Sequence, residues 1–173
     1  MLRISTPLEG GPYSKYAESI APDAEKLVRN RFGSLPTVHL VLNGDSSQAD
    51  HLMDTAEAQL LHDFTPTQLN SASRPDRRSC RAFAQASLDS DGVLIVLQIP
   101  GMSSERDVAR NLVHGLVHAH QIGDRSARSL HLDYLNHVRG QQAMQPNTLS
   151  AYGLLIEQRE IEAHDAEDLA TQL

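Results

Sequence analysis

Residues 92–121 read GVLIVLQIPGMSSERDVARNLVHGLVHAHQ, and the fold turns on how this stretch is divided. Gly92 to Pro100 is an unbroken apolar, β-branched run, which predicts a strand buried on both faces. Pro100-Gly101 stops it. Ser103 or Ser104 then offers an N-cap, Glu105 and Asp107 suit the positive end of a helix, and Val108, Leu112, Leu116 and Ala119 recur at helical spacing. That helix is expected to end near Gln121, ahead of Gly123.

Working outward, Asp89-Ser90-Asp91-Gly92 is a turn signal before the strand, and residues 80–86 carry a weak strand pattern. Residues 65–79 are polar, hold Pro66 and Pro75 and run into an arginine cluster, so they read as a loop. Further upstream, Gln48 to Phe64 is an amphipathic helix, Thr37 to Leu42 a strand ended by Asn43-Gly44-Asp45, and Pro22 to Phe32 a helix. In this last helix Pro22 is expected at the first position and Gly33 as the stop. Downstream, Ala127 to Val138 is helical, Gly140 to Pro146 a connector, and Asn147 or Thr148 caps a long final helix running almost to Leu173. The elements predict an α+β fold with a small, mixed or mostly antiparallel sheet beside the 103–121 helix. Residues 1–14 read as a polar leader, disordered or a secretion signal that leaves no hydropathy trace. Residues 15–173 read as one domain.

The chain of 173 residues holds 15 basic and 22 acidic side chains, a formal net charge of −7. A nucleic-acid interface needs a basic face, and the only dense basic run is the short one from Arg74 to Arg81, so no nucleic-acid partner is expected. No apolar run suits a membrane span and no h-region marks a signal peptide. The expected location is the cytoplasm, with secretion by a non-classical route left open. A single Cys80 excludes an internal disulfide framework and a thiolate zinc site. No Ser-His-Asp, Cys-His or phosphate-loop signature is present. Nine histidines remain to be explained, six of them between His114 and His164.

His114 and His118 are four apart on the predicted helix, so both imidazoles leave one side about a turn from each other, a spacing suited to one metal ion. Taken alone the pair fits two exposed histidines equally well. The final helix adds Glu157-Gln158-Arg159-Glu160-Ile161-Glu162-Ala163-His164. Glu157 and His164 share the face of Glu160, whereas His120 and Glu162 turn away from the proposed site. His39, His51, His62, His131 and His137 have no spaced partner and read as ordinary, and Tyr134 beside Asp133 reads as packed at a helix rim.

With these two segments the chain resembles a zincin metallopeptidase of the gluzincin kind, over roughly residues 93–170. That family carries His-Glu-x-x-His on a helix that follows a strand, and a third zinc ligand, a glutamate, on a later helix. The resemblance implies zinc held by His114, His118 and Glu160, and a peptide or protein as substrate or partner. The family's general base stands directly after the first histidine, where this chain has Gly115, which offers no proton acceptor. The resemblance therefore implies an impaired or inactive peptidase, with a non-catalytic peptide-binding or scaffold domain as the alternative. His164, where the family has Asp or Asn, implies either a partner that orients a ligand or a fourth ligand that closes the site.

Overall fold

A computed structural model describes residues 1–6, 13–61 and 83–173 of the chain. In chain order these form β1 (Leu2–Ser5), α1 (Ser14–Phe32), β2 (Val38–Asn43), α2 (Ser46–Leu60), β3 (Ala84–Leu88), β4 (Val93–Gln98), α3 (Glu105–Gly123), α4 (Arg125–Val138) and α5 (Pro146–Asp165). A single 3-10 turn covers Ile99–Gly101, and a seven-residue 3-10 helix covers Ala166–Gln172. The fold is α+β. The 65–79 loop, Arg74, Cys80 and His62 lie outside the described residues.

The sheet has the order β1-β2-β4-β3. β1 and β4 both run parallel to β2, and only β3 on the outer edge is antiparallel, to β4. The sheet is thus mixed, the first of the two forms expected, and it is not mostly antiparallel. The cause is the crossover: α1 carries the chain from β1 back to the starting end of β2, and helical crossovers produce parallel neighbours. Within the segment expected as a polar leader, Leu2 to Ser5 forms a strand, with Val38 N–H donating to the Met1 carbonyl at 2.9 Å.

β4 is buried on both faces, as its apolar run demands. Val93, Ile95 and Leu97 pack with Leu40 and Leu42 of β2 under α1 and α3, whereas Leu94 and Val96 meet Ala49, Met53 and Ala56 of α2 on the other face. On the α2 side Glu57 is buried, accepts from Ser87 Oγ at 2.7 Å and pairs with Arg139 at 3.1 Å.

Two helix boundaries depart from the sequence reading. α1 begins at Ser14, so Pro22 lies in its interior and leaves the Glu18 carbonyl without its usual donor. The buried stripe of Ala17, Ile20, Ala21, Ala24 and Val28 runs across the proline, and that burial keeps the helix continuous. α5 takes Pro146 as its first residue with Gln145 as N-cap, and it stops at Asp165, where the chain tightens into 3-10 geometry. Ala166, Leu169 and Ala170 then tuck into the main core beside α3. No helix among the described residues is long and apolar enough to cross a membrane.

Candidate metal centre

α3 has a dry side and a polar side. Ser104 caps it by accepting from Asp107 N–H, and Asp107 reaches back to accept from Ser103. Val108, Leu112, Val113, Leu116 and Val117 are fully buried against the sheet and α1. Their burial, worth roughly 1.5–3 kcal/mol per side chain, fixes the rotation of the helix and aims the side chains of His114 and His118 at α5.

There they meet Glu160. His114 Nε2 lies 2.9 Å from His118 Nε2, and the Glu160 carboxylate lies 3.6 Å from the first and 3.2 Å from the second. The three residues read from the sequence are therefore brought together. Both histidine side chains are largely buried, at 12% and 14% exposure, and Glu160 is half exposed.

The outer ring nitrogens decide which atoms in this cluster carry protons. His114 Nδ1 lies 3.1 Å from Glu167, a carboxylate that can only accept, so Nδ1 is the protonated nitrogen. His118 Nδ1 lies 2.8 Å from Gln121 Oε1. Gln121 has its amide nitrogen committed to the Arg159 carbonyl and to Glu162, so its oxygen must face the histidine as an acceptor. With Nδ1 engaged from behind, each imidazole turns its Nε2 inward, and two ring nitrogens and a carboxylate converge there. Only a cation relieves that arrangement. A proton on either Nε2 does so in part: hydrogen bonds from His114 and then His118 hold the Glu160 carboxyl far below the ordinary carboxylate range, against the opposing effect of burial. A metal ion does so fully. Tetrahedral zinc with bonds of roughly 2.0–2.1 Å sets its ligand atoms roughly 3.3–3.4 Å apart, and the observed separations of 2.9, 3.2 and 3.6 Å bracket that value. The donor set fits a His2Glu metal site.

Glu167 and Gln121 were not read from the sequence, although both were within reach of it: Glu167 is seven residues after Glu160, two turns along the same face, and Gln121 is three after His118. Glu167 also takes two charged hydrogen bonds from Arg110 and one from His164 Nδ1 at 2.8 Å. Burial opposes its ionisation, but hydrogen bonds from His164 and Arg110 prevail and hold the carboxyl below its ordinary value.

His164 stands outside the central cluster. Its ring packs edge-on against His114 at 4.8 Å, and its donor atom groups with His114 and Glu167, apart from the set made by His114, His118 and Glu160. Of the two readings of His164, the geometry favours the orienting partner, through Glu167. His120 turns away as expected, donating to the Ser34 carbonyl, and Glu162 is spent on Gln121. Glu157 is exposed and makes no hydrogen bond or ion pair among the described residues. His39, expected to be solitary, sits between Asp89 and Asp91 with Arg3 3.0 Å from its Nε2. Tyr134 stacks on the buried Tyr152 of α5.

Gly115 faces the sheet. A Cβ there would stand 2.9 Å from Ile95 Cγ2 and 3.5 Å from the Ala84 Cβ, so this position lets α3 lie close on β3 and β4. No family model, curated protein or solved structure matches the chain.

Proposed function

We propose that His114, His118 and Glu160 hold one zinc ion, and that the chain is a zinc-metallopeptidase-like domain of the zincin, gluzincin-type class whose glutamate-based catalysis is lost at Gly115. The observation that carries this reading is the convergence of two Nε2 atoms and a carboxylate, each imidazole held from behind at Nδ1 by Glu167 or Gln121. A strand leading into the ligand helix, and a later helix supplying the carboxylate, agree with the same architecture. When bound, zinc supplies Lewis acidity that polarises a peptide carbonyl. The chain's own residues hold and orient: Glu167 fixes the His114 ring, Gln121 fixes the His118 ring, and Gly115 contributes no proton acceptor. Loss of a general base removes roughly 10²–10⁴ in rate.

A second reading, a peptide- or protein-binding domain without catalysis, is favoured by one observation: position 115 is given over to packing against Ile95. Metal analysis of the purified protein and of a His114→Ala/His118→Ala variant tests the primary reading. One zinc per chain in the parent and none in the variant is expected. Sub-stoichiometric zinc that the substitutions leave unchanged would end it.

A further inference from the structure

We propose that the outer face of α5 is a docking surface for a cationic amphipathic helix, with Leu154 and Ile161 as its apolar contacts and Glu157 and Asp165 as its charged ones. The proposal gives the peptide-binding reading a surface and a partner class. It rests on that reading and does not require the ion.

α5 holds five large aliphatic side chains, Leu149, Leu154, Leu155, Ile156 and Ile161, and none of them is buried. Leu149, Leu155 and Ile156 are half-buried, whereas Leu154 and Ile161 are 68% and 63% exposed. A helix this rich in aliphatic residues ordinarily spends them on a core. Leu154 and Ile161 are seven apart, so they leave the helix within about 20° of each other, roughly opposite the buried Tyr152 and Ala163, and about 10.5 Å apart along the axis. Single apolar side chains scattered over a surface are ordinary. Two in one line, on a helix that buries only two of its 20 residues, form a ridge without a partner.

The charges along this ridge decide which partner fits. Glu157 lies between the two aliphatic residues and Asp165 one turn beyond Ile161, both exposed and neither with a hydrogen bond or ion pair among the described residues. Glu162 is exposed beside them, and His164 at the margin is engaged by Glu167. α5 has no lysine, and its one arginine, Arg159, turns inward with Nη1 buried. The ridge thus sets aliphatic contacts among charges of one sign, and its complement carries Lys or Arg around aliphatic residues. A helical ridge seats in the groove of another helix whose anchors recur at i, i+3, i+4 and i+7. A second copy of this chain fits worse. Antiparallel pairing that brings Leu154 onto Ile161 of the copy sets Glu157 against its own counterpart, between chains of formal net charge −7. An anionic lipid surface is repelled by the same carboxylates.

The test is fluorescence anisotropy with the full-length protein and a labelled synthetic peptide of about 15 residues, its leucines at helical spacing on one face and lysines elsewhere. One control peptide has the same composition in scrambled order, and another sets the same leucines among glutamates. The lysine peptide is expected to bind, and to weaken about tenfold in Leu154→Gln and in Ile161→Gln. In Glu157→Gln/Asp165→Asn its binding should lose most of its dependence on salt. Val138→Gln, which removes an exposed aliphatic of α4, leaves binding as it was. Glutamine is a good helix former, and parent-like circular dichroism of each variant controls for folding. The same contrasts are expected with and without zinc, so the metal reading can fail alone. The proposal is overturned by ridge variants that bind within about threefold of the parent, or by equal binding of the scrambled peptide. A dimer in sedimentation, or adhesion to anionic vesicles, that Leu154→Gln abolishes would overturn it as well, giving the ridge to a second copy or to lipid. Peptide binding that ignores the ridge variants leaves the peptide-binding reading standing, whereas a parent that binds no member of an unbiased peptide library removes both.

Discussion

Gly115 lies so close to Ile95 that a methyl group on the glycine would stand 2.9 Å from Ile95 Cγ2. The glycine that stands at the general-base position of the proposed zincin reading is therefore also the residue on which α3 rests against the sheet. Ile95 is fully buried and β-branched, so it yields little.

Gly115→Glu is accordingly expected to lower stability and to restore little proteolysis by itself. Gly115→Ala gains about 1 kcal/mol of helix propensity but meets overpacking of about 1–3 kcal/mol, and is expected to be neutral to destabilising. A double-mutant cycle with Ile95→Ala checks the cause: the pair should be more stable than the sum of the single changes by about 0.5–3 kcal/mol. Strict additivity in denaturant titrations would remove the contact as the explanation.

Zinc should stabilise the folded chain. At free metal a hundredfold above the dissociation constant the gain is about 2.7 kcal/mol, which for a domain of this size corresponds to roughly 5–10 °C in the melting temperature. Chelator should return the apo value, and His114→Ala/His118→Ala should show no shift. A zinc-induced rise of equal size in that variant would place the ion elsewhere.

Glu167→Ala and Gln121→Leu each remove the acceptor behind one ligand. Loss of such a partner typically weakens metal affinity 10–100-fold, measurable by competition with a chromophoric chelator. The Glu167 change is expected to be the larger, since it also frees His164 and Arg110. Arg110→Ala should act in the same direction but less. Unchanged affinity in all three would mean that the imidazoles are held by packing alone.

Asp124 gives the pH dependence of the α3–α4 junction. The Ser126 hydroxyl first, then the backbone N–H groups of Ser126 and Ala127, hold its carboxyl below the ordinary value of 3.8. A carboxyl lowered by folding contributes stability that is present above its unfolded value and lost as pH falls through the folded one. The stability difference between parent and Asp124→Ala is thus expected to be constant at neutral pH and to shrink in acid, below about pH 4. A difference that holds its size down to pH 2 would contradict the cap.

What could be read from sequence was the local physics. The β4 run, the Ser104 cap, the α3 stripe and the i,i+4 histidines all signal within one or two turns of chain, and the structure places them as read. Pairing between distant segments could not be read: Leu2-Arg3-Ile4-Ser5 is too short to announce itself, and becomes a strand only because β2 offers a parallel edge. Pro22 misled for a related reason, since a proline looks like a helix start until the apolar stripe on both sides of it is seen to bury together. Within the proposed site His114 and His118 carried a spacing signal, and Glu160 came from the resemblance of the later helix. Their supporting acceptors Glu167 and Gln121 lay at helical spacing too, but spacing alone does not separate them from neighbours such as Glu162, because which side chain turns inward depends on the 3-10 turn at Ala166 and on the Arg159 carbonyl that braces Gln121.

α5 has only Tyr152 and Ala163 buried along its 20 residues, while α3 is embedded in the core. The two histidines are thus anchored to the most cooperative part of the molecule, and the carboxylate to the least. An ion held at the proposed centre is then expected to leave as α5 lifts away, carrying Glu160 with it, while the histidine pair stays in place. The residence time of the ion is a property of helix docking, and amide exchange along α5 should slow when zinc is added while that of α3 stays as it was.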